Sequence, residues 1–127
     1  MPNFPHMVLT KAPPLVQESV PAAFFARAAI HPRKVALRRK RLGLWESIVW
    51  EQYAEQARLV AHALMALGVE PGERVGLVGE NRPEWLFADM GVQSVGAWTT
   101  GIYTTSSPEQ VHYIIEHAEC RLFFVEG

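Results

Sequence analysis

The stretch Glu73–Pro108, ERVGLVGENRPEWLFADMGVQSVGAWTTGIYTTSSP, decides the fold. It opens with a short apolar run, Val75–Val78, which suits a strand that is covered on both faces. Asn81–Glu84 (NRPE) then offers a capping side chain, a proline for the first turn and an acid three residues after the cap, which predicts a helix start. A second strand-like run, Ala97–Tyr103, follows this helix.

The helix between these two strands is apolar on nearly all sides, so it must be covered on most of them. A further helix is predicted where a serine cap and a proline meet, at Ser107-Pro108. A third strand is predicted at Leu122–Val125, and the three strand starts are separated by about two dozen residues, as in consecutive βα units. The fold class is therefore α/β, with a mostly parallel sheet flanked by helices.

Two more helices are predicted nearer the amino terminus. The first is capped by Ser19 and ends before His31-Pro32, because a residue that precedes proline avoids helical geometry. The second is the amphipathic stretch Trp50–Leu67, which Gly68 ends in a left-handed cap. The residues predicted to pack inward are Phe24, Phe25, Ala28 and Ala29 in the first helix, and Tyr53, Ala57, Val60, Ala61, Leu64 and Leu67 in the second.

Between these helices the sequence predicts a β-hairpin, with strands Val35–Arg39 and Leu44–Ile48 joined at Leu42-Gly43. The hairpin carries the basic run Arg38–Arg41. Such a run could meet phosphate, but a solvated hairpin edge is the favoured interpretation, because interleaved aromatic residues are missing and charged edges prevent sheet-to-sheet pairing.

The composition limits the classes of function. The 127 residues suit one domain, and the formal charge of −1 gives no reason to expect a nucleic-acid partner. A lone cysteine, Cys120, fits a reducing compartment. The chain has neither the roughly 20 apolar residues of a membrane span nor a secretory signal, so we expect a cytoplasmic protein with at most peripheral membrane contact.

We divide the chain into a Pro-rich arm, residues 1–18, and an α/β subdomain, residues 19–127. The arm has no hydrophobic period but carries several apolar residues, so docking against a neighbour is favoured over a disordered tail, and a homodimer contact is an equal alternative. The chain stops directly after a strand, where α/β domains normally carry a functional loop. We therefore expect the subdomain to be part of a larger domain.

Several motifs that suggest chemistry have a simpler structural interpretation. Gly76 and Gly79 lack the spacing of a dinucleotide fingerprint. His112 and His117 lie five apart on a helix and therefore on different faces, so no metal site is predicted. Asp89 is the only aspartate, and we interpret it as a partnered polar residue at the rim of its helix. No catalytic residue is assigned.

The best candidate for a functional site is the loop Gly101–Ser107. It lies at the carboxyl end of a predicted parallel strand and before a helix, where α/β proteins bind ligands. It is rich in hydroxyl groups, and Gly101 would let a ligand approach the backbone. A plain loop that caps the next helix is an equally good interpretation.

With these residues identified, the chain resembles the beginning of an adenylate-forming (AMP-binding) enzyme, and more narrowly a bacterial long-chain fatty acyl-CoA synthetase. The resemblance covers roughly residues 20–127. The matching segments are HPRKVALR (His31–Arg38), ALGVEPGERVGLVGENRPEW (Ala66–Trp85), GIYTTSSPEQVHYII (Gly101–Ile115) and CRLFFVE (Cys120–Glu126). Relatives often have proline where Thr104 stands, and threonine or serine where Val49 stands.

The resemblance implies a partial large domain of the acyl-CoA synthetase-like fold, a βαβαβ core preceded by a helix and a hairpin. It also implies that the parent enzyme uses ATP, Mg²⁺ and CoA to activate a fatty acid, with the remainder of the synthetase chain as partner. The phosphate loop and catalytic lysine of the family lie outside this segment, so we expect the segment alone to bind none of these cofactors and to be inactive. By resemblance, Gly101, Tyr103 and Thr104 lie near the approach of CoA.

Two other functions stay open at this point. The chain could be a stand-alone α/β module that binds a small ligand or CoA at the carboxyl edge of its sheet. It could also be a non-catalytic interaction module that uses its Pro-rich arm and the exposed part of the sheet. The reading frame that contains the sequence would distinguish them, because a synthetase would continue into a glycine- and hydroxyl-rich phosphate loop.

Overall fold

A computed structural model describes residues 19–126 and contains, within that range, four helices and five strands. The arm, and with it the predicted docking or dimer contact, lies outside the described residues. The elements are α1 Val20–Ile30, β1 Val35–Arg41, β2 Leu44–Val49, α2 Trp50–Ala66, β3 Arg74–Val78, α3 Pro83–Ser94, β4 Trp98–Ile102, α4 Pro108–Ala118 and β5 Cys120–Val125.

The predicted parallel sheet is confirmed. Three strands lie in the order β4-β3-β5, and both neighbours run parallel to the central strand β3. Leu77 of β3 is in register with Gly101 of β4 and Phe124 of β5. Val75 and Leu77, which lie on one face of β3, are at most 1% exposed, and Gly76 between them is also buried, as expected for a central strand.

The predicted hairpin is also confirmed, although β1 extends to Arg41. Arg41 pairs with Leu44, so Leu42 and Gly43 alone form the loop. Their φ angles are +49° and +82°. Positive φ at both loop residues is typical of a type I′ turn, whose twist matches that of the flanking strands.

Two of the predicted helix starts are formed by the expected side chains. Ser19 Oγ accepts a hydrogen bond from the Ala22 N–H at 3.3 Å. Ser107 Oγ accepts from the Gln110 N–H at 3.3 Å, while Gln110 Oε1 accepts from the Ser107 N–H at 2.9 Å. The second pair is a complete capping box.

The predicted cap of α3 is wrong. The helix begins at Pro83, so the N-cap is Arg82 rather than Asn81. Arg82 has extended angles (φ −122°, ψ 161°), the conformation that a following proline favours. The Arg82 guanidinium forms an ion pair with Glu126 at 2.7 Å. Proline at the first helical position therefore fixes the start of α3.

The core consists of two adjacent clusters, which α2 and α3 join. One lies among α1, α2 and α3, and the other lies between α2, α3 and one face of the sheet. Gly91 is where the two helices approach closely, because a Cβ there would overlap the Val60 side chain and lie 3.1 Å from the Ala57 carbonyl oxygen. The buried members are Phe24, Ala28, Tyr53, Ala54, Ala57 and Met90 in the first cluster, and Leu64, Val69, Val75, Val92 and Ala97 in the second.

Two predictions about packing need correction. Leu67, which we expected to pack inward, is 61% exposed, and Ala29 is also exposed. Leu67 is the C-cap of α2, and the left-handed Gly68 turns the chain away at that point. Ala29 follows the buried Ala28, about 100° around the helix, and so lies off the buried stripe of α1. The prediction that α3 is covered on most sides is confirmed, because every residue from 85 to 94 is buried or half-buried.

The second face of the sheet is covered only in part. Helix α4 packs against β4, and the residues on its inward face are half-buried, with none fully buried among the described residues of the helix; these residues are Val111, Ile114, Ile115 and Ala118. Trp98, Phe123 and Val125 remain 69%, 49% and 60% exposed. Across residues 19–126, no helix combines the length and apolar character needed to cross a bilayer.

Candidate functional site at the carboxyl edge of the sheet

The three residues predicted from the sequence lie at the carboxyl end of β4. Gly101 and the loop residues Tyr103 and Thr104 are all exposed, Tyr103 by 83%. The end of β3, at Gly79, lies beside them because β3 and β4 are parallel and in register. This edge is where ligands bind in open α/β sheets.

The indole of Trp85 lies between the ends of the two strands. A Cβ on Gly79 would lie 3.7 Å from Trp85 Cδ1, and a Cβ on Gly101 would lie 3.5 Å from Trp85 Cζ2. These two atoms belong to opposite rings of the indole, so the side chain spans the gap. In the sequence, Trp85 is one of the apolar residues of a helix expected to be covered on most sides, and its place at this edge was not predicted. The signal available in the sequence was that each of two successive strands carries a glycine at its carboxyl end, Gly79 and Gly101.

Trp85 contributes to two open grooves. The β3–β4 groove has a volume of about 540 Å³ and is lined by Gly79, Trp85, Gly101, Tyr103 and Thr104, among others. The β3–β5 groove has a volume of about 240 Å³ and is lined mainly by apolar side chains, with Arg82 and Glu126 also contributing. The larger groove therefore brings together all three predicted site residues and the tryptophan that was not predicted.

Glu126 connects the end of β5 to the turn between β3 and α3. Its Oε2 accepts a hydrogen bond from the Glu80 N–H at 2.7 Å, and its Oε1 pairs with Arg82 Nη1 at 2.7 Å. Its own N–H donates to the Val78 carbonyl oxygen at 3.0 Å. Because Arg82 is largely exposed, the ion pair fixes geometry more than it contributes energy. The turn that leads to Trp85 is thus anchored at both ends.

The hydroxyl-rich loop has a structural role in addition to any role in binding. The Ser106 N–H donates to the Tyr103 carbonyl oxygen at 3.0 Å, which closes a turn, and Ser107 caps α4. Hydrogen bonds from its own backbone N–H and from the Ser107 hydroxyl lower the pKa of the exposed Glu109 carboxyl. Thr104 and Thr105 remain exposed.

Asp89 is a partnered polar residue, as predicted. Its Oδ2 accepts a hydrogen bond from Gln93 Nε2 at 3.0 Å, one turn along α3. Burial raises the pKa of the Tyr53 phenol, and the nearby Asp89 carboxylate raises it further. Tyr53 donates to the Leu86 carbonyl oxygen at 3.4 Å. Within the described part of the chain, no three His, Cys, Asp or Glu side chains converge as a metal site would require.

Comparison with known proteins identifies relatives of this chain by sequence. The chain is 39% identical over 93 residues to a long-chain-fatty-acid–CoA ligase of Xenopus laevis, which covers 73% of the chain but 13% of the ligase. It is 35% identical over 109 residues to a long-chain-fatty-acid–CoA ligase of Mycobacterium bovis, which covers 86% of the chain and 18% of that ligase. The chain therefore spans less than a fifth of the length of either relative.

The fold has a solved counterpart. The structure matches the N-terminal subdomain of NpsA from Klebsiella oxytoca with a TM-score of 0.76 and 21% identity, over 86% of this chain and 28% of that one. At this identity the likeness shows the fold alone. The profile of the AMP-binding enzyme family matches residues 24–127. Since that match covers most of the chain, the protein belongs to the AMP-binding enzyme family.

Proposed function

We propose that this chain is the amino-terminal scaffold portion of an AMP-forming long-chain fatty acyl-CoA ligase. The observation that carries the proposal is the 39% identity to a ligase named for long-chain fatty acids. A solved N-terminal subdomain with the same fold supports the position in the parent protein. The parallel sheet and the β3–β4 groove are then a support onto which the rest of the ligase is built.

The parent reaction has two steps. The fatty acid carboxylate attacks the α-phosphorus of ATP, which gives acyl-AMP and pyrophosphate, and Mg²⁺ bound elsewhere in the ligase would balance the phosphate charge. The CoA thiolate then attacks the acyl carbonyl carbon, and AMP leaves. Splitting one difficult step into two easier ones is the usual benefit of an activated intermediate. The remainder of the ligase supplies the residues that contact ATP, and this segment is inactive by itself.

Within this segment, Gly101, Tyr103 and Thr104 form part of the approach of CoA. What supports this role is their exposure at the carboxyl edge of the sheet and the open groove that they share with Trp85. The pantetheine arm of CoA is extended and carries both amides and methylenes. A groove with one aromatic wall and accessible backbone suits such a ligand.

A segment exchange tests the proposal. Residues 24–127 would replace the aligned segment of the Mycobacterium bovis ligase, and formation of the long-chain acyl-CoA thioester from ATP and CoA would be measured. We expect the chimera to be active and a deletion of the same segment to be inactive. A chimera that folds but forms no thioester would contradict the proposal.

A site variant within the chimera tests the CoA approach. Gly101→Val adds a side chain at the groove, so we expect the KM for CoA to rise about tenfold, roughly 1.4 kcal/mol, with the KM for ATP unchanged. The matched control is Trp98→Val, which introduces the same residue at the opposite end of the same strand. If both variants change the KM for CoA equally, the groove is not the approach of CoA.

The stand-alone binding module is the second candidate, because the β3–β4 groove is already formed by the residues described. Calorimetric titration of the chain with CoA distinguishes it. Tight binding of CoA by the chain, together with an inactive chimera, would favour that function over the ligase.

A further inference from the structure

The tip of the β1–β2 hairpin, residues 42–45, is an exposed apolar surface. Leu42 is 94% exposed, Leu44 is 73% exposed and Trp45 is 69% exposed. These three side chains belong to one turn and the residues directly after it. A two-residue loop of this type is normally polar.

The backbone makes the leucine at the apex more unusual. Leu42 has a φ of +49°, a conformation that costs an L-residue with a Cβ about 1 kcal/mol and that asparagine or glycine adopts more readily. The side chain gains little burial within the described residues to offset this cost. An exposed leucine in a conformation that disfavours it indicates a contact with something beyond residues 19–126.

Positive charge is concentrated beside this tip. Residues 33–41 contain six of the twelve Lys and Arg residues of the chain, although the net charge is −1. Glu46 is the only acid of the hairpin, and it accepts from Arg39 at 2.7 Å. Arg38 and Lys40 are exposed, and Lys40 pairs across the strands with Trp45, so the two side chains lie on one face.

We propose that the hairpin tip docks onto an anionic lipid bilayer, with Leu42 at the acyl boundary, Trp45 among the headgroups and Lys40 and Arg38 near lipid phosphates. Amphipathic tryptophan is favoured at membrane interfaces, and basic residues are attracted to an anionic surface. A soluble phosphate or a nucleic acid would engage the cations but not the leucine. The proposal does not depend on the proposed ligase function.

Vesicle co-sedimentation tests the proposal with the complete 127-residue chain. Neutral phosphatidylcholine vesicles are compared with vesicles that contain about one third phosphatidylserine, at low and at physiological salt. We expect binding to the anionic vesicles only, and weaker binding as salt screens the charges. Arg38→Gln and Lys40→Gln should each lower the partition coefficient about fivefold. This factor corresponds to roughly 1 kcal/mol, the contribution of one basic residue near an anionic surface.

The apolar contact is tested by Leu42→Asn and Trp45→Ser, each of which we expect to lower the partition coefficient about tenfold. Leu67→Asn and Trp98→Ser are matched controls, because these side chains are 61% and 69% exposed on other surfaces. Leu42→Asn also replaces a strained residue by one that favours the turn. Its melting temperature should therefore not fall, which separates lost binding from lost folding.

Three outcomes would overturn the proposal. The first is no binding, or equal binding to neutral and anionic vesicles. The second is anionic binding that the two cation variants weaken but Leu42→Asn and Trp45→Ser do not, which would indicate a soluble anion or polyanion. The third is an equal loss in Trp98→Ser, which would assign the contact to the open face of the sheet.

Discussion

Val49 is the N-cap of α2 but cannot cap it with its side chain. Its backbone angles (φ −84°, ψ 163°) suit an N-cap residue. Gln52 Oε1 accepts a hydrogen bond from the Val49 N–H at 3.0 Å, which supplies one half of a capping box. Valine has no oxygen for the other half, so the position has a favourable conformation and lacks only an acceptor.

We therefore expect Val49→Thr to stabilise the chain by about 1 kcal/mol, because the hydroxyl accepts from the Gln52 N–H and threonine keeps the branched shape of valine. Urea denaturation followed by circular dichroism measures the change. Val49→Ala is the control and should not stabilise, since it adds no acceptor. An equal gain in both variants would show that the hydroxyl is not the cause.

Contacts within a few residues were mostly predicted correctly, with the cap of α3 as the exception, whereas contacts between distant residues were not predicted. Ser19 and Ser107 cap helices through groups three residues away, so their roles are visible locally. Arg82 takes the cap position of α3 and pairs with Glu126, which is far along the chain. The position of Trp85 between two glycines likewise requires both strands to be aligned first.

At the scale of elements, the contact between α2 and α3 joins the two core clusters. The close approach depends on Gly91, where a Cβ would overlap Val60 and press on the Ala57 carbonyl group. Glycine in a helix interior normally weakens the helix relative to alanine. At position 91, the close packing between α2 and α3 favours glycine over alanine.

We expect Gly91→Ala to destabilise the chain by about 1–3 kcal/mol, although alanine is the better helix former, because the added methyl group overpacks the contact. The double variant Gly91→Ala with Val60→Gly should lose less stability than the two single variants together, because glycine removes both overlapping atoms, the Cβ and the Cγ1 of Val60. Chemical denaturation of the two single variants and the double variant gives the coupling energy. If the changes in the free energy of unfolding are additive, the strain does not arise between positions 91 and 60.

The types of the elements were predictable because their hydrophobic periods are strong, whereas the residues at which the elements end were less predictable. The βαβ spacing predicted three parallel strands, and the hairpin followed from its glycine-containing loop. The helical period of α2 continued to Leu67, but the left-handed Gly68 turns the chain there and leaves Leu67 exposed. Periodicity reports which face is apolar and does not report where tertiary contact stops.

For the whole molecule, the two faces of the sheet differ in coverage. One face packs against α2 and α3, and the other is covered by α4 only in part. Trp98, Phe123 and Val125 remain exposed beside it. Exposed apolar residues grouped in this way mark a surface that binds another part of a protein or promotes aggregation. Sequence patterning predicted the layers but could not show how far α4 reaches across the sheet.

We expect Trp98→Lys with Val125→Lys to lower the binding of a hydrophobic dye, measured by its fluorescence, severalfold without lowering the melting temperature, since both side chains are largely exposed. Leu59→Lys with Met65→Lys is the matched control, because these residues are 56% and 63% exposed on α2. An equal decrease in the control pair would show that the open face of the sheet is not distinctive.

The anchoring role of Glu126 also sets an order of assembly. The carboxylate that holds the backbone of Glu80 and the guanidinium of Arg82 belongs to the last residue described. During synthesis the chain emerges from its amino terminus, so the helices and the first two parallel strands are made before this carboxylate exists. The turn that leads to Trp85 thus gains this anchor only when nearly the whole segment has left the ribosome.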